Sequence, residues 1–343
     1  MRYLVTGATG FIGAEVVRQL TDAGHQVVAI VRDPAQATAA DGDSPLLRPE
    51  VLLVQGDITK KETLRAPMAG VDGVFHIAGW YKIGARDKTP AFTTNVEGTR
   101  NVLETAGELA VGKIVYTSTL AVFSDTHGQV VNEDYSFAGK HISVYDASKW
   151  KAHYEVAVPL IREGLPAVIV QPGAVYGPGD RGPIADTLVT YLRGKLPLIP
   201  EKSAYCWGHV TDTAQAHLLA MEKGRIGESY IVAGPGRELS RVLTMVEQLT
   251  GVPLPRLHSS PRLLKTVSRL MKLIDRLHPL EGTFSPETLR VGAGATYLGT
   301  SAKAVRELGI SMRPIEEGLR ESLSWYLELA GEDAHEGSVI HES

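Results

Sequence analysis

The first half of the chain alternates two hydrophobic periodicities. Short apolar runs rich in β-branched residues occur at Tyr3–Val5, Gln26–Val31, Val51–Val54, Gly73–Ile77, Lys113–Thr117 and Ala167–Val170. Between several of them lie segments with helical spacing, Ile12–Ala23, Pro90–Ala110 and Tyr145–Glu163. Strands alternating with helices require crossover connections, hence a mostly parallel sheet covered on both faces. Six strands in this sequence fit two mononucleotide-binding halves. The pattern predicts an α/β fold with a Rossmann-type doubly wound parallel sheet, the NAD(P)-binding domain, over residues 1–175.

The pattern then changes. Pro172-Gly173, Gly177-Pro178-Gly179 and Gly182-Pro183 crowd into a dozen residues and mark loops. Downstream the periodicity is mainly helical, at Asp212–Glu222, Leu239–Leu249, Pro261–Leu277, Ser301–Leu308 and Ile315–Leu329, with one strand at Ser229–Val232. This predicts a smaller, mainly helical C-terminal substrate domain over residues 176–330 that caps the carboxyl edge of the sheet. A segment at about 205–225 is expected to return to the first domain, and residues 331–343 read as a polar tail. The segment Pro261–Leu277 is amphipathic, with Leu263, Leu264, Val267, Leu270, Met271 and Ile274 opposite Arg262, Lys265, Arg269, Lys272 and Arg276. Such a helix can lie on a membrane surface. The reading preferred from the sequence is a substrate-domain helix with solvated charges and no membrane contact.

Composition narrows the class. The 343 residues carry 35 Lys+Arg against 39 Asp+Glu, a net charge of −4 with both signs mixed, which leaves no nucleic-acid footprint. With 43% apolar and 22% charged residues the chain is ordinary globular protein. A single cysteine, Cys206, excludes an intrachain disulfide and a cysteine-based zinc site, and no metal is expected. The apolar run after Met1-Arg2 is too short for a signal peptide, and no stretch of eighteen apolar residues follows. The expectation is a cytoplasmic protein.

Candidate chemistry begins at the first strand. Val5-Thr6-Gly7-Ala8-Thr9-Gly10-Phe11-Ile12-Gly13 follows a strand and opens a helix, the setting of a dinucleotide-binding turn. Gly7 permits the turn, Gly10 lets backbone approach a pyrophosphate, Gly13 lets helix pack on strand, and the helix N-terminus offers N–H groups to phosphate. At the end of the second strand, Val31 stands where NAD-binding chains place an acid, and Arg32 follows. An arginine there can pair with a ribose 2′-phosphate. NADP(H) is therefore favoured, with NAD(H) the alternative and Asp33 a competing ribose ligand. Asp57 and Ile58 after the third strand, and Ala78 after the fourth, complete the same edge. His76 reads as a packed strand histidine. The cofactor set is thus Gly7, Thr9, Gly10, Phe11, Ile12, Gly13, Arg32, Asp57, Ile58 and Ala78.

Tyr145 and Lys149 stand at i and i+4, on one helical face. A nearby ammonium favours the phenolate and lowers the tyrosine pKa, giving an acid–base group suited to a carbonyl oxygen. The strand before them ends in hydroxyls, Thr117-Ser118-Thr119, at the edge where open α/β sheets bind ligands.

These residues, with Asn95-Val96-Glu97-Gly98-Thr99 and Pro172-Gly173-Ala174-Val175-Tyr176-Gly177-Pro178, resemble the extended short-chain dehydrogenase/reductase superfamily, also described as the NAD-dependent epimerase/dehydratase superfamily. Val31-Arg32-Asp33-Pro34, Phe75-His76-Ile77-Ala78 and His209-Val210-Thr211-Asp212-Thr213-Ala214 are similar to the branch of dihydroflavonol 4-reductases and 3β-hydroxysteroid dehydrogenases. The resemblance implies Tyr145 as general acid in reduction and Lys149 as ligand of the nicotinamide ribose and modulator of Tyr145. It implies Thr119 as the oxygen-holding hydroxyl, with Ser118 as second choice, and Pro172 and Val175 against the nicotinamide. It also implies a homodimer through the helices that begin near Asn95 and Tyr145.

Two absences bear on substrate. Leu120-Ala121 follow Thr119 where sugar-nucleotide dehydratases carry Asp-Glu, and Tyr205-Cys206-Trp207 stand where epimerases carry an arginine for the diphosphate. Arg181 or Arg237 could substitute for that cation. Aromatic residues, Trp80, Tyr81, Phe123, Tyr176 and Trp207, are the candidate pocket wall instead. The expectation is an NADP(H)-dependent reductase of an apolar ketone or aldehyde and its alcohol. The alternatives are an NAD-dependent sugar-nucleotide epimerase and a dinucleotide-sensing module without catalysis.

Overall fold

A computed structural model of the chain describes residues 1–38, 44–275 and 285–336. Thirteen strands are present among them. In chain order they are β1 (Arg2–Thr6), β2 (Gln26–Val31), β3 (Val51–Gln55), β4 (Gly73–His76), β5 (Lys113–Thr117), β6 (Ala167–Pro172), β7 (Ala174–Tyr176), β8 (Ile199–Pro200), β9 (Ala204–His209), β10 (Ser229–Val232), β11 (Gly236–Glu238), β12 (His258–Ser259) and β13 (Thr296–Tyr297).

Seven of them form one parallel sheet in the order β10-β6-β5-β4-β1-β2-β3. Its strands read as continuous apolar runs because both faces are buried. Val5, Val27, Ala29, Val31, Phe75, Val115, Val168 and Val170 point to one face and pack with Val16, Val17 and Leu20 of helix Phe11–Asp22 and Ala216 and Ala220 of helix Val210–Lys223. Leu4, Val28, Ile30, Val74, Ile114, Tyr116 and Ile169 point to the other and pack with Val102, Leu103 and Ala106 of helix Thr99–Glu108, and with Ala152 and Val156. Successive residues thus alternate faces, and these two sets stay buried while the edge strand β3 is partly exposed.

The smaller C-terminal region is mainly helical and has its own core. Tyr176 of β7 and Trp207 of β9 pack with Leu188, Tyr191, Val242, Leu243, Leu319 and Tyr326 of helices Pro183–Leu192, Leu239–Thr250 and Ile315–Glu336. Two short sheets, β11-β9-β13 with β7 beside β9 and β12-β8, stitch its loops. Three expectations change here. Ser229–Val232 joins the main sheet as its edge strand beyond β6, with Tyr230, Ile231 and Val232 buried. Helix Ile315–Glu336 runs past Gly331, where a tail was expected. The amphipathic helix spans Pro261–Ile274, while Arg276 and Leu277, like residues 337–343, lie outside the described residues.

Asp212 ties the two regions together. Its carboxylate accepts from the Arg313 guanidinium at 2.7–3.0 Å and from the Arg313 backbone N–H at 2.9 Å. The His209–Asp212 segment therefore has a structural role: His209 caps its own helix and Asp212 anchors the incoming C-terminal chain.

Candidate active site

The chain leaves β1 and β4 toward opposite faces of the sheet, and a cavity of 1190 Å³ opens between them and under the C-terminal region. At the floor, Gly7 has φ +75, and a Cβ there would lie 2.6 Å from the Ala78 backbone nitrogen. Only glycine lets the two turns approach so closely. Gly13 has the same constraint on the helix side, where a Cβ would meet the Gly7 carbonyl oxygen at 2.0 Å. Helix Phe11–Asp22 starts from Gly10 with no side-chain cap and no acid in its first turn. Its first N–H groups and the positive end of its dipole are left for an anion, and Gly10, Phe11, Ile12 and Gly13 all line the cavity.

Thr9, Arg32, Asp57, Ile58, Ala78, Ser118, Pro172 and Val175 line the same cavity, so the whole cofactor set converges on one crevice. Asp57 is fixed there by accepting from the Thr59 N–H and hydroxyl at 2.9 and 2.8 Å. Arg32 is exposed at the strand end. Asp33 is turned away to cap the next helix, accepting from the Ala35 and Gln36 N–H groups. His76 is a packed histidine as read: Thr6 and Thr99 hold its two nitrogens at 2.8 and 3.0 Å, and burial pulls its pKa down to about 3.

Tyr145, Lys149 and Thr119 meet at the centre of the cavity. Ser143 caps helix Val144–Lys151 through the Asp146 N–H and so sets the helix phase that aims Tyr145 inward. The Thr119 hydroxyl stands beside the Tyr145 phenol. Ser118 is engaged with His153 at 2.8 Å, which leaves Thr119 as the hydroxyl beside the phenol. Lys149 donates to the Thr117 carbonyl at 2.8 Å, and burial pulls its pKa down to about 7. Burial pushes the Tyr145 phenol up, the neighbouring Thr119 hydroxyl opposes this, and the Asp146 carboxylate adds to it. The expected lowering of Tyr145 by Lys149 is therefore not what this geometry gives: desolvation outweighs it, and the ammonium is held on a backbone carbonyl.

Of the aromatic wall, Trp80 and Tyr81 line the cavity, and the Tyr81 ring lies 4.5 Å from that of Tyr145. Phe123, Tyr176 and Trp207 do not. They are buried in two hydrophobic cores, where large aromatic side chains bury most surface. Tyr205 and Tyr297 take their place, with stacked rings 6.0 Å apart and the Tyr297 hydroxyl 3.1 Å from Asp146. Asp146 also accepts from Ser124 and Ser143, and burial pushes its pKa up to about 6. These three lay outside the sequence reading; Asp146 alone had a signal, its place inside Tyr145-Asp-Ala-Ser-Lys149.

Two buried polar side chains hold the loop that carries Trp80 and Tyr81. Asn95 accepts from the Trp80 N–H at 2.7 Å and donates to the Trp80 carbonyl at 3.0 Å and to Ser148 on helix Val144–Lys151 at 2.9 Å. Glu287, from helix Pro286–Val291, accepts from the Gly84 N–H at 3.1 Å and from the Val144 N–H at 2.5 Å. One carboxylate thus joins the loop, the start of helix Val144–Lys151 and the C-terminal region.

Residues 3–233 match the NAD dependent epimerase/dehydratase family. The chain belongs to that family. It is 30% identical over 96% of its length to sterol demethylase protein B of Methylococcus capsulatus, covering 99% of that protein. It is 31% identical to a putative dihydroflavonol 4-reductase of Synechocystis, over 94% of each. The solved structure of gox2253 has 31% identity and a TM-score of 0.80, over 95% of this chain and 98% of that one. Family members with reductase and 3β-hydroxysteroid dehydrogenase names match at similar identities, so the superfamily is fixed and no one branch is singled out. The chain is a Rossmann-fold, NAD(P)-binding enzyme of this superfamily.

The comparisons correct the cofactor expectation. Several solved neighbours hold NAD, among them MoeE5 with UDP-glucose and NAD, 22% identical with a TM-score of 0.73 over 96% of this chain and 99% of that one. NADP(H) is not carried further. Arg32 misled because an exposed guanidinium at a strand end is stable in water with or without a phosphate to bind.

The polar anchoring of the Trp80–Tyr81 loop is directly testable. Asn95→Ala removes the partner of the part-buried Trp80 N–H and carbonyl and of the buried Ser148 hydroxyl, and the expected loss is about 2 kcal/mol in urea unfolding. Trypsin should also cut the native variant faster at Lys82 and Arg86, and unchanged cleavage and stability would contradict the anchoring role.

Proposed function

We propose that the protein is an NAD(H)-dependent oxidoreductase that interconverts an apolar ketone or aldehyde and its alcohol. The observation that carries this reading is the apolar lining of the cavity that holds Tyr145. Leu120, Leu196, Leu198, Leu239, Leu264 and Leu289 all line it. Apolar walls with a few convergent polar groups suit a small apolar carbonyl compound. Cys206 and Trp207, where an epimerase would place its diphosphate-binding arginine, are sealed in cores, and Arg237 does not line the cavity. Two relatives similar over more than nine-tenths of the chain carry the names sterol demethylase protein B and 3-beta-hydroxysteroid dehydrogenase, which suits such a substrate.

The crevice fits a dinucleotide. The first-turn N–H groups of helix Phe11–Asp22 would hold the pyrophosphate, Asp57 and Ile58 the adenine side, and Pro172 and Val175 the nicotinamide, all of them residues that line the crevice. When bound, NAD(H) supplies a hydride to the carbonyl carbon or takes one from the alcohol. Thr119 and the Tyr145 phenol hold the substrate oxygen, and Tyr145 gives it a proton in reduction or takes one in oxidation. Lys149 holds the ribose side of the cofactor and places its charge near the phenol. The loop bearing Trp80 and Tyr81 shields the reacting atoms from water.

A second reading, sugar-nucleotide epimerisation, is favoured by solved neighbours that hold UDP-sugars with NAD, at identities that speak to fold. Arg181, at the cavity wall and stacked 5.2 Å over Trp325, is the cation available to a diphosphate.

Purified protein should oxidise NADH with a panel of steroidal, aromatic and aliphatic carbonyls and leave UDP-glucose unchanged. Tyr145→Phe should lower kcat about a thousandfold with NADH affinity nearly unchanged. Retained turnover, or conversion of UDP-glucose without net NADH consumption, would overturn the reading. Because burial holds the phenol protonated, alcohol oxidation, which uses the phenolate, should rise in kcat/KM from about pH 6 to about pH 9. Carbonyl reduction, which uses the phenol, should show no such rise. The opposite pattern would assign the proton to another group.

A further inference from the structure

Helix Pro261–Ile274 has three faces rather than the two its sequence suggests. Leu264 and Ser268 point inward, and Leu264 reaches the cavity wall beside Leu289 and Val291 of the helix it packs on. A second apolar stripe points into solvent. Leu263, Leu270 and Leu273 are 56%, 57% and 58% exposed, Ile274 is exposed beside them, and Leu257 just before the helix is 67% exposed. Arg262, Lys265, Arg269 and Lys272, spaced by three, four and three residues, form the remaining face. All four are exposed, and none makes an ion pair among the described residues.

We propose that this helix docks the protein on the surface of an anionic phospholipid bilayer. An apolar edge flanked by a basic stripe is the pattern of a helix that lies in the interface, leucines among the acyl chains and cations among the headgroups. The charge singles out the occupant. The chain as a whole is at −4, yet this helix carries four unpaired cations and, within Pro261–Ile274, no acid. A second copy paired through the same face in a two-fold dimer would bring basic stripes together, whereas an anionic surface neutralises them. No helix among the described residues is long and apolar enough to cross a membrane, so the contact is with the surface. The opposite side of the same helix forms cavity wall through Leu264, which places the bilayer next to the cavity. The docking inference stands on these surface features and not on the reaction catalysed.

The test is sedimentation of the full-length protein with vesicles of phosphatidylcholine alone or mixed with phosphatidylglycerol. Binding should require phosphatidylglycerol and weaken as salt is raised. The double substitution Lys265→Glu/Lys272→Glu should weaken it about tenfold or more, since each cation near an anionic surface contributes on the order of 1 kcal/mol. Leu263→Ser/Leu270→Ser should weaken it comparably. All four positions are exposed, so thermal unfolding by circular dichroism should match the parent protein. No binding by the parent protein, or binding unaffected by either double substitution, would overturn the proposal. So would a lipid-free dimer that Leu263→Ser/Leu270→Ser converts to monomer, because the face would then belong to a second copy.

Discussion

β1 and β4 lie side by side in the sheet, yet the helix after β1 packs on one face and the helix after β4 on the other. Burying both faces of a parallel sheet forces this divergence, and the gap between the departing chains is a crevice with backbone at its floor. Gly7 and Ala78 set how narrow the floor can be, and Gly13 sets how close the first helix can come. Everything else at the site is arranged around that crevice. β5 delivers Thr119 beside it, and the helix beginning at Val144 delivers Tyr145 and Lys149.

Precision at the crevice comes from buried polar contacts. Asn95 and Glu287 saturate backbone groups of a loop that would otherwise have only solvent to bond, and Glu287 does so from the C-terminal region. The cover of the cavity and the start of helix Val144–Lys151 are thereby tied to the same carboxylate. Dryness has an electrostatic cost. Lys149 is pulled toward neutrality and Tyr145 is held protonated, so the resting site is poised as an acid rather than as a base.

Much of this was legible in the sequence because it rests on local patterning. Apolar runs separated by helical spacing specify a parallel sheet, and a glycine turn at residue 7 specifies where its first helix starts. The i, i+4 relation of Tyr145 and Lys149 is a property of one helix. What was not legible depends on tertiary contacts. Phe123, Tyr176 and Trp207 are large apolar side chains, and nothing local distinguishes a core position from a pocket wall. Tyr205 and Tyr297 reach the cavity from β9 and β13, strands that pair across some ninety residues of chain. Arg32 shows the same limit for charge, since a guanidinium at a strand end does not by itself name the dinucleotide. The helix at Pro261–Ile274 shows it for amphipathicity: the sequence gives the apolar residues, and only packing shows that half of them face water.

The two enzymatic readings differ in where the hydride ends. A reductase passes it from cofactor to product once per turnover, whereas an epimerase returns it to the cofactor. The most direct measurement is mass spectrometry of the alcohol formed from an apolar carbonyl with NADH deuterated at the transferable C4 position. The account predicts one deuterium at the carbinol carbon for each NADH consumed. Product lacking that label, or UDP-glucose inverted at C4 with no NADH consumed, would contradict it.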